Sequence, residues 1–173
     1  MTSARITYAI ILFGAAIWCS ALLLAPVFAA STGLPGVIGA VIYQFFHPIC
    51  HQLSERSFQL FGHPLAVCAR CSSIYFGFLA GTLLYPAVRT ISVPRYPSRI
   101  ILLAAIMPML VDVAAALAGM HEVTTVSRLI SGATFGLVAP FFILPAAIEA
   151  VQQAFSPVPS TPLSELEKGF PNA

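Results

Sequence analysis

Charged residues are scarce in this sequence. They make up 8% of its 173 residues, whereas 58% are hydrophobic, and a soluble domain would carry roughly a quarter charged residues. Eight basic and six acidic side chains cannot cover the surface of a water-soluble domain of this length. We therefore expect lipid to be the solvent. The net charge of +2 and the lack of basic runs interleaved with aromatic residues exclude nucleic acid as a partner.

The sequence also lacks the motifs of several enzyme classes. It contains no hydrolase triad, no phosphate-binding loop and no pair of catalytic carboxylates. Lysine occurs once, at Lys168, which argues against a Schiff-base enzyme. Glu122 and Glu149 have no partner in register and are interpreted as interfacial charges. The sequence therefore leaves open whether the protein is an enzyme.

Long apolar runs predict the fold. Four of them can each cross a hydrocarbon core of about 30 Å, and they cover roughly residues 6–30, 67–88, 100–119 and 125–151. A shorter run at Leu34–Phe46 is typical of a re-entrant or interfacial segment, here residues 34–52. We predict an all-α, polytopic transmembrane helix bundle in one domain, residues 1–155. The proline-rich residues 156–173 are expected to form a mobile tail.

Basic residues predict the orientation of the bundle. Arg89, Arg95 and Arg99 flank the loop between the second and third spans, and loops rich in arginine stay on the cytoplasmic side. The polar segment at residues 47–71 and the His121–Glu122 turn then face outward. We expect a multi-pass protein of the cytoplasmic (inner) membrane. Its partners are the lipid bilayer and either other membrane subunits or further copies of itself.

Cysteine and histidine residues cluster between the first two spans. His47 and Cys50 are three residues apart, Cys68 and Cys71 are three residues apart, and residues 51–67 separate the pairs. This spacing is similar to a zinc-ribbon pattern with histidine in the first position. On a helix, both later sulfurs could reach one ion. We predict a site for zinc or another thiophilic metal with three cysteine ligands. The candidates for its fourth ligand are His47, His51 and His63.

Other interpretations of the cysteines stay open. Because the segment is expected to face an oxidising compartment, Cys68 and Cys71 could form a disulfide or a working dithiol with Cys50 as partner. The protein would then be a membrane thiol–disulfide oxidoreductase. Buried free cysteines can also be ordinary core residues. Arg70, between the two thiols, is expected to lower their pKa, unless it only extends to lipid headgroups.

Two charges lie inside the predicted third and fourth spans. Asp112 and Arg128 are about equally far from the turn at Met120 and His121, so an antiparallel hairpin places both about 12 Å deep. An isolated charge there costs at least about 2.5–3.5 kcal/mol. We therefore predict an ion pair between Asp112 and Arg128, with either a structural or a functional role.

Small residues predict close helix contacts. Gly77 and Gly81 form a G-x-x-x-G motif in the second span, and Gly132 and Gly136 form another in the fourth. Such faces would also suit a third role for the protein, as a small scaffold subunit of a membrane complex.

Several of these residues together resemble one known family. The motifs are Cys50-His51-Gln52, then Glu55-Arg56-Ser57, then Cys68-Ala69-Arg70-Cys71 followed by Tyr75 and Gly77, with Asp112 and Arg128 further along. Between Gln44 and Gly136 the chain is similar to the small prokaryotic membrane proteins of domain of unknown function 2085. Ser54 stands where that family usually has proline. The resemblance implies a compact polytopic protein, and it carries no assigned activity. The shared site that it implies consists of Cys50, His51, Cys68, Arg70 and Cys71.

Overall fold

Helices dominate the computed structural model, which describes residues 2–91, 93, 95–119 and 124–155. Two small elements lie between the second and third helices. They are a short 3-10 helix (Ser54–Arg56) and a hairpin of two short strands, β1 (Gln59–Leu60) and β2 (His63–Pro64). The sequence analysis did not predict this hairpin. The helices are α1 (Thr2–Ala29), α2 (Leu34–Phe46), α3 (Ala69–Val88), α4 (Arg99–Leu117), α5 (Thr125–Val138) and α6 (Pro140–Ala154).

Four segments are long and apolar enough to cross a membrane. They are Ser3–Ala29, Ala69–Val88, Arg99–Leu117 and Thr125–Ala154. Large hydrophobic side chains on their outer surfaces are exposed, as expected where lipid covers a bundle. The prediction of an all-α, polytopic transmembrane bundle is confirmed. The predicted tail at residues 156–173 and the turn at Met120 and His121 lie outside the described residues.

The fourth span consists of two consecutive helices. Ala139 separates α5 from α6 and keeps helical dihedral angles (φ −52°, ψ −41°). Pro140 follows as the first residue of α6. Because proline has no N–H group, it cannot continue the hydrogen-bond ladder of α5 but is suited to the first turn of a helix.

The predicted glycine faces of α3 and α5 pack against each other. A Cβ added at Gly132 would collide with the Ser73 hydroxyl, and one added at Gly136 would collide with the Ile74 carbonyl. From the other side, a Cβ at Gly77 would lie 2.9 Å from the Ala133 carbonyl oxygen. The close contact expected from both G-x-x-x-G motifs is therefore confirmed, and it holds the first turn of α3 beside the first turns of α5.

The short helix α2 folds back beside α1. Gly33 turns the chain with a positive φ of 77°, and a Cβ at Gly39 would lie 2.8 Å from the Ala29 nitrogen. The 13 residues of α2 extend about 20 Å, less than a hydrocarbon core. At its end, the Tyr43 hydroxyl donates a hydrogen bond to the Pro64 carbonyl. This contact ties α2 to the hairpin and brings the segment after it close to the start of α3.

Candidate metal centre

Three cysteine sulfurs meet at the start of α3. Cys50 follows the end of α2, Cys68 is the N-cap of α3, and Cys71 lies in its first turn. Their Sγ atoms all lie within 4.8 Å of one another, and all three are free thiols. The backbone N–H of Cys68 donates a hydrogen bond to the Cys50 sulfur at 3.2 Å. The structure thus brings together the three predicted thiol ligands.

The turn after α2 positions Cys50. Its N–H donates to the Phe46 carbonyl at 3.0 Å, and its side chain is buried in a hydrophobic cluster with Phe46 and Val67. Gln52 adopts a left-handed backbone with φ 51°, which is uncommon for a residue other than glycine. Its amide donates to the Tyr43 carbonyl at 2.7 Å, near the end of α2. The Gln52 side chain therefore fastens the turn that presents Cys50.

Aromatic rings pack beside the cysteine cluster. Trp18 of α1 makes edge contacts with Phe45 and Phe46 of α2 and with Tyr75 of α3, with ring centroids 5.0–5.7 Å apart. Trp18 and Tyr75 also pack against the hydrophobic cluster that contains Cys50. Water is therefore excluded on this side of the sulfurs, which strengthens electrostatic interactions there.

Neighbouring groups favour the thiolate form of Cys68. A hydrogen bond from the Cys71 thiol is the largest cause, and it lowers the pKa of Cys68 to about 5 against an opposing effect of burial. The backbone N–H groups of Cys71 and Arg70, at the start of α3, add to this effect. Arg70 thus acts on the Cys68 thiol through its backbone N–H group. A lowered pKa favours both metal binding and thiol exchange.

Histidine does not complete the cluster. Among the described residues, the group of mutually close ligand atoms contains the three sulfurs and no ring nitrogen. His47 is exposed whereas Cys50 is buried, so their side chains lie in different surroundings although they are three positions apart. None of the three candidate histidines, His47, His51 and His63, contributes a ring nitrogen to the group, and the choice of a fourth ligand stays a prediction. His51 lines a cavity next to the sulfurs, outside their immediate group.

Asp112 pairs with a different arginine from the one predicted. Its carboxylate accepts a hydrogen bond from the Arg70 guanidinium and forms an ion pair with it. Within the described part of the chain, no ion pair joins Asp112 to Arg128. Distance from the turn places Asp112 and Arg128 at the same depth in the membrane. The rotation of each helix about its axis decides which charges face each other. The predicted partner of Asp112 is thus corrected to Arg70.

Cys19 does not belong to the cluster. It is buried in α1, and its thiol donates to the Tyr75 carbonyl at 3.4 Å. Together with Trp18 it lines a separate apolar cavity of about 420 Å³. This thiol supplies a built-in control for experiments on the other three.

Sequence reasoning missed two features of the site. It gave no role to Gln52, although this residue lies in the Cys-His-Gln motif that supported the resemblance. It also missed that Arg70 and Asp112 share an ion pair, although both residues belong to that resemblance. Grouping the charged residues of that resemblance would have suggested the ion pair.

Comparisons with known proteins agree with this architecture. A family of predicted membrane proteins, domain of unknown function 2085, matches residues 50–142. An uncharacterized protein of Methanocaldococcus jannaschii is 36% identical over 151 residues, which cover 86% of this chain and 97% of the relative. One from Methanothermobacter thermautotrophicus is 33% identical over 94 residues, which cover 53% of this chain and 81% of the relative. No solved structure matches. The chain belongs to the membrane-protein family of domain of unknown function 2085.

Proposed function

We propose that this membrane protein binds one thiophilic metal ion, of the zinc type, through Cys50, Cys68 and Cys71. The observation that supports the proposal most directly is the mutual approach of the three sulfurs to within 4.8 Å. Tetrahedral zinc with Zn–S bonds of about 2.3 Å needs sulfurs about 3.8 Å apart, so small side-chain adjustments suffice. The Cys68 pKa of about 5 favours the deprotonated ligand that a metal requires.

Three protein ligands would leave one position of a tetrahedral ion open. Structural zinc sites have four protein ligands, whereas sites that exchange or activate a ligand keep one position free. The sulfurs line a cavity of about 470 Å³, from which a further ligand could approach. His51 lines the same cavity and is the histidine best placed to supply it. A site of three cysteines with an open position would exchange a ligand, whereas a site that His51 completes would be structural.

We further propose that the site faces the outside of the cytoplasmic membrane. The segment that carries Cys50 and the loop that carries Arg89 and Arg95 lie at opposite ends of α3. Arginine-rich loops remain cytoplasmic, which would put the thiols on the other side. An outward site would take its metal from outside the cell, or release it there.

A thiol–disulfide oxidoreductase is the second candidate. It is favoured by the position of Cys68 at the N-cap of α3 with Cys71 one turn later. Thiol exchange enzymes have the same arrangement, in which a cysteine of lowered pKa is followed three residues later by a second cysteine. In such a reaction the Cys68 thiolate would attack a substrate disulfide and displace one thiolate. Cys71 would then displace the second, leaving a Cys68–Cys71 disulfide and a reduced substrate.

Metal analysis combined with thiol counting distinguishes the two candidates. Purified protein should contain about one equivalent of metal, and all four cysteines should be reduced after denaturation with a chelator. Each of Cys50→Ser, Cys68→Ser and Cys71→Ser should lose most of the metal, because loss of one thiolate weakens soft coordination. Cys19→Ser is the matched control, since it removes a buried thiol outside the cluster and should keep the metal.

The redox candidate predicts a different result. The protein would contain no metal, its mass would be lower by two hydrogens, and two thiols would appear only after reduction. Metal-free, fully reduced protein with unchanged stability in the three cluster variants would contradict both candidates.

A further inference from the structure

A cavity with several cationic side chains in its lining lies beside the thiol cluster, at the same end of the bundle. Its volume is about 470 Å³. It is lined by residues 49–53, by the first turn of α3, by the end of α4 and by the start of α5. The cationic side chains in its lining are Arg56, Arg70 and Arg128. The His51 ring also lines it. No aspartate or glutamate of the described residues lines it. The cavity therefore gathers positive charge from three separate segments of the chain.

Two of these arginines have no anionic partner within the described residues. Arg70 is paired with Asp112, which does not line the cavity. Among the described residues, the guanidinium groups of Arg56 and Arg128 take part in no ion pair and no hydrogen bond, and only the backbone carbonyl of Arg128 accepts hydrogen bonds, from Ser73 and Ser131. Arg128 is half-buried, and an unpaired charge in an apolar surrounding is costly. An anion in the cavity would offset that cost.

The helix ends reinforce the positive potential. Arg70 lies in the first turn of α3, and Arg128 lies at the end of the first turn of α5. The helix dipole makes these positions unfavourable for cations and favourable for anions. The thiols are the source of negative charge beside the cavity. If a divalent ion were bound by three thiolates, the net charge of that group would be −1, which is smaller than the +2 of Arg56 and Arg128 together.

We infer that this cavity binds an oxyanion of the phosphate type, with Arg56 and Arg128 as the ligand-binding residues. Guanidinium groups bind phosphate oxygens in bidentate fashion. A phosphate group offers enough oxygens for two arginines approaching from different segments, whereas a single carboxylate has only two. The same chemistry is found in free phosphate and in the headgroups of anionic phospholipids. The proposal rests on the arginines and does not require a metal on the sulfurs.

Binding of inorganic phosphate tests the inference directly. Protein in a phosphate-free maltoside detergent should bind labelled inorganic phosphate saturably at one site in equilibrium dialysis. Arg56→Gln and Arg128→Gln should each weaken binding about tenfold, because each removes a charge-assisted contact. Arg5→Gln is the matched control, because it removes one arginine at the start of α1, far along the chain from the cavity, and should bind like the wild type.

Lipid retention distinguishes the two sources of the phosphate group. If the ligand is a headgroup, native mass spectrometry should show phosphatidylglycerol retained in preference to phosphatidylcholine. Arg56→Gln and Arg128→Gln should remove this preference, whereas Arg5→Gln should keep it. The thermal unfolding midpoint of each variant establishes that the bundle is intact. Arg56 is exposed, so its variant should fold even if the one at Arg128 does not.

Two outcomes would overturn the inference. One is wild-type protein that neither binds phosphate saturably nor prefers phosphatidylglycerol. The other is a pair of arginine variants that behave like Arg5→Gln in both assays. Metal-free protein can be used throughout, so failure of the metal proposal would not affect this result. Equally, failure to bind phosphate would not affect the metal proposal.

Discussion

The guanidinium of Arg70, in the first turn of α3, forms an ion pair with the carboxylate of Asp112, near the end of α4. Asp112 is buried, and Arg70 is half-buried. The helix α4 packs mainly against α5 and has little other contact with α3. This pair therefore links α4 to the helix that carries Cys68 and Cys71, close to the thiol cluster.

Breaking the ion pair should destabilise the bundle. Arg70→Ala and Asp112→Ala should each lower the free energy of unfolding by about 3 kcal/mol, because each leaves an unpaired charge in an apolar environment. The double variant should lose less than the sum of the single variants. Denaturant unfolding in detergent measures all three values. The Arg128→Ala and Asp112→Ala changes should instead be additive, and strong coupling between them would contradict the pairing seen here.

Adding a methyl group between α3 and α5 should also be unfavourable. A Cβ at Gly136 would collide with the Ile74 carbonyl, whereas one at Gly14, in the helix α1, would meet no atom within 4 Å. Gly136→Ala should therefore lower the free energy of unfolding by about 1–3 kcal/mol. Gly14→Ala should leave it unchanged or raise it by up to about 1 kcal/mol, because alanine favours helix. Equal effects at both positions would show that the two helices do not approach as closely as described.

Removal of the Gln52 amide should loosen the turn that carries Cys50. Gln52→Ala loses the hydrogen bond to the Tyr43 carbonyl while the left-handed backbone conformation must be kept. We expect a loss of about 1 kcal/mol in the free energy of unfolding. Gln59→Ala provides the comparison, since the Gln59 amide bonds only to exposed Ser54 and should cost less than about 0.5 kcal/mol. A larger effect at Gln59 would assign the anchoring role to the hairpin instead.

The proposed orientation can be tested by thiol labelling in intact cells. In a variant without native cysteines, Glu55→Cys should react with a membrane-impermeant maleimide, because residue 55 is exposed at the same end of the bundle as the thiol cluster. Thr90→Cys, after the opposite end of α3, should react only once the cells are permeabilised. The reverse pattern would place the cluster in the cytoplasm, where thiols stay reduced and a disulfide is disfavoured.

The number of spans followed from the sequence because it depends on length and hydropathy alone. A run of about 20 apolar residues matches the hydrocarbon thickness whatever its neighbours are, and each run is read independently. The close approach of α3 and α5 was also predictable, since glycine and other small residues let two helix backbones approach closely. The break at Pro140 was not predicted, although proline at this position is a signal for it.

Contacts that depend on helix rotation were not predictable in the same way. Asp112 and Arg128 were placed at one depth, but depth leaves the direction of each side chain around its helix undetermined. His47 was grouped with Cys50 on motif spacing alone, and spacing does not determine which ring nitrogen reaches the sulfurs. The place of Arg56 beside Arg128 in one cavity was not predicted, because the walls of the cavity come from segments far apart in the sequence.

The sequence by itself determined that this chain is a bundle of four transmembrane spans, and it marked Cys50, Cys68 and Cys71 as one group. These conclusions rest on properties of short segments: hydrophobic length for the spans, and motif spacing for the cysteines. Only the tertiary structure decided that Arg70 is the partner of Asp112, that no described histidine belongs to the sulfur group, and that Arg56 and Arg128 line one cavity with the thiols. The physical reason is that packing between helices, which involves contacts distant in sequence, sets the rotation of each helix and therefore which side chains meet.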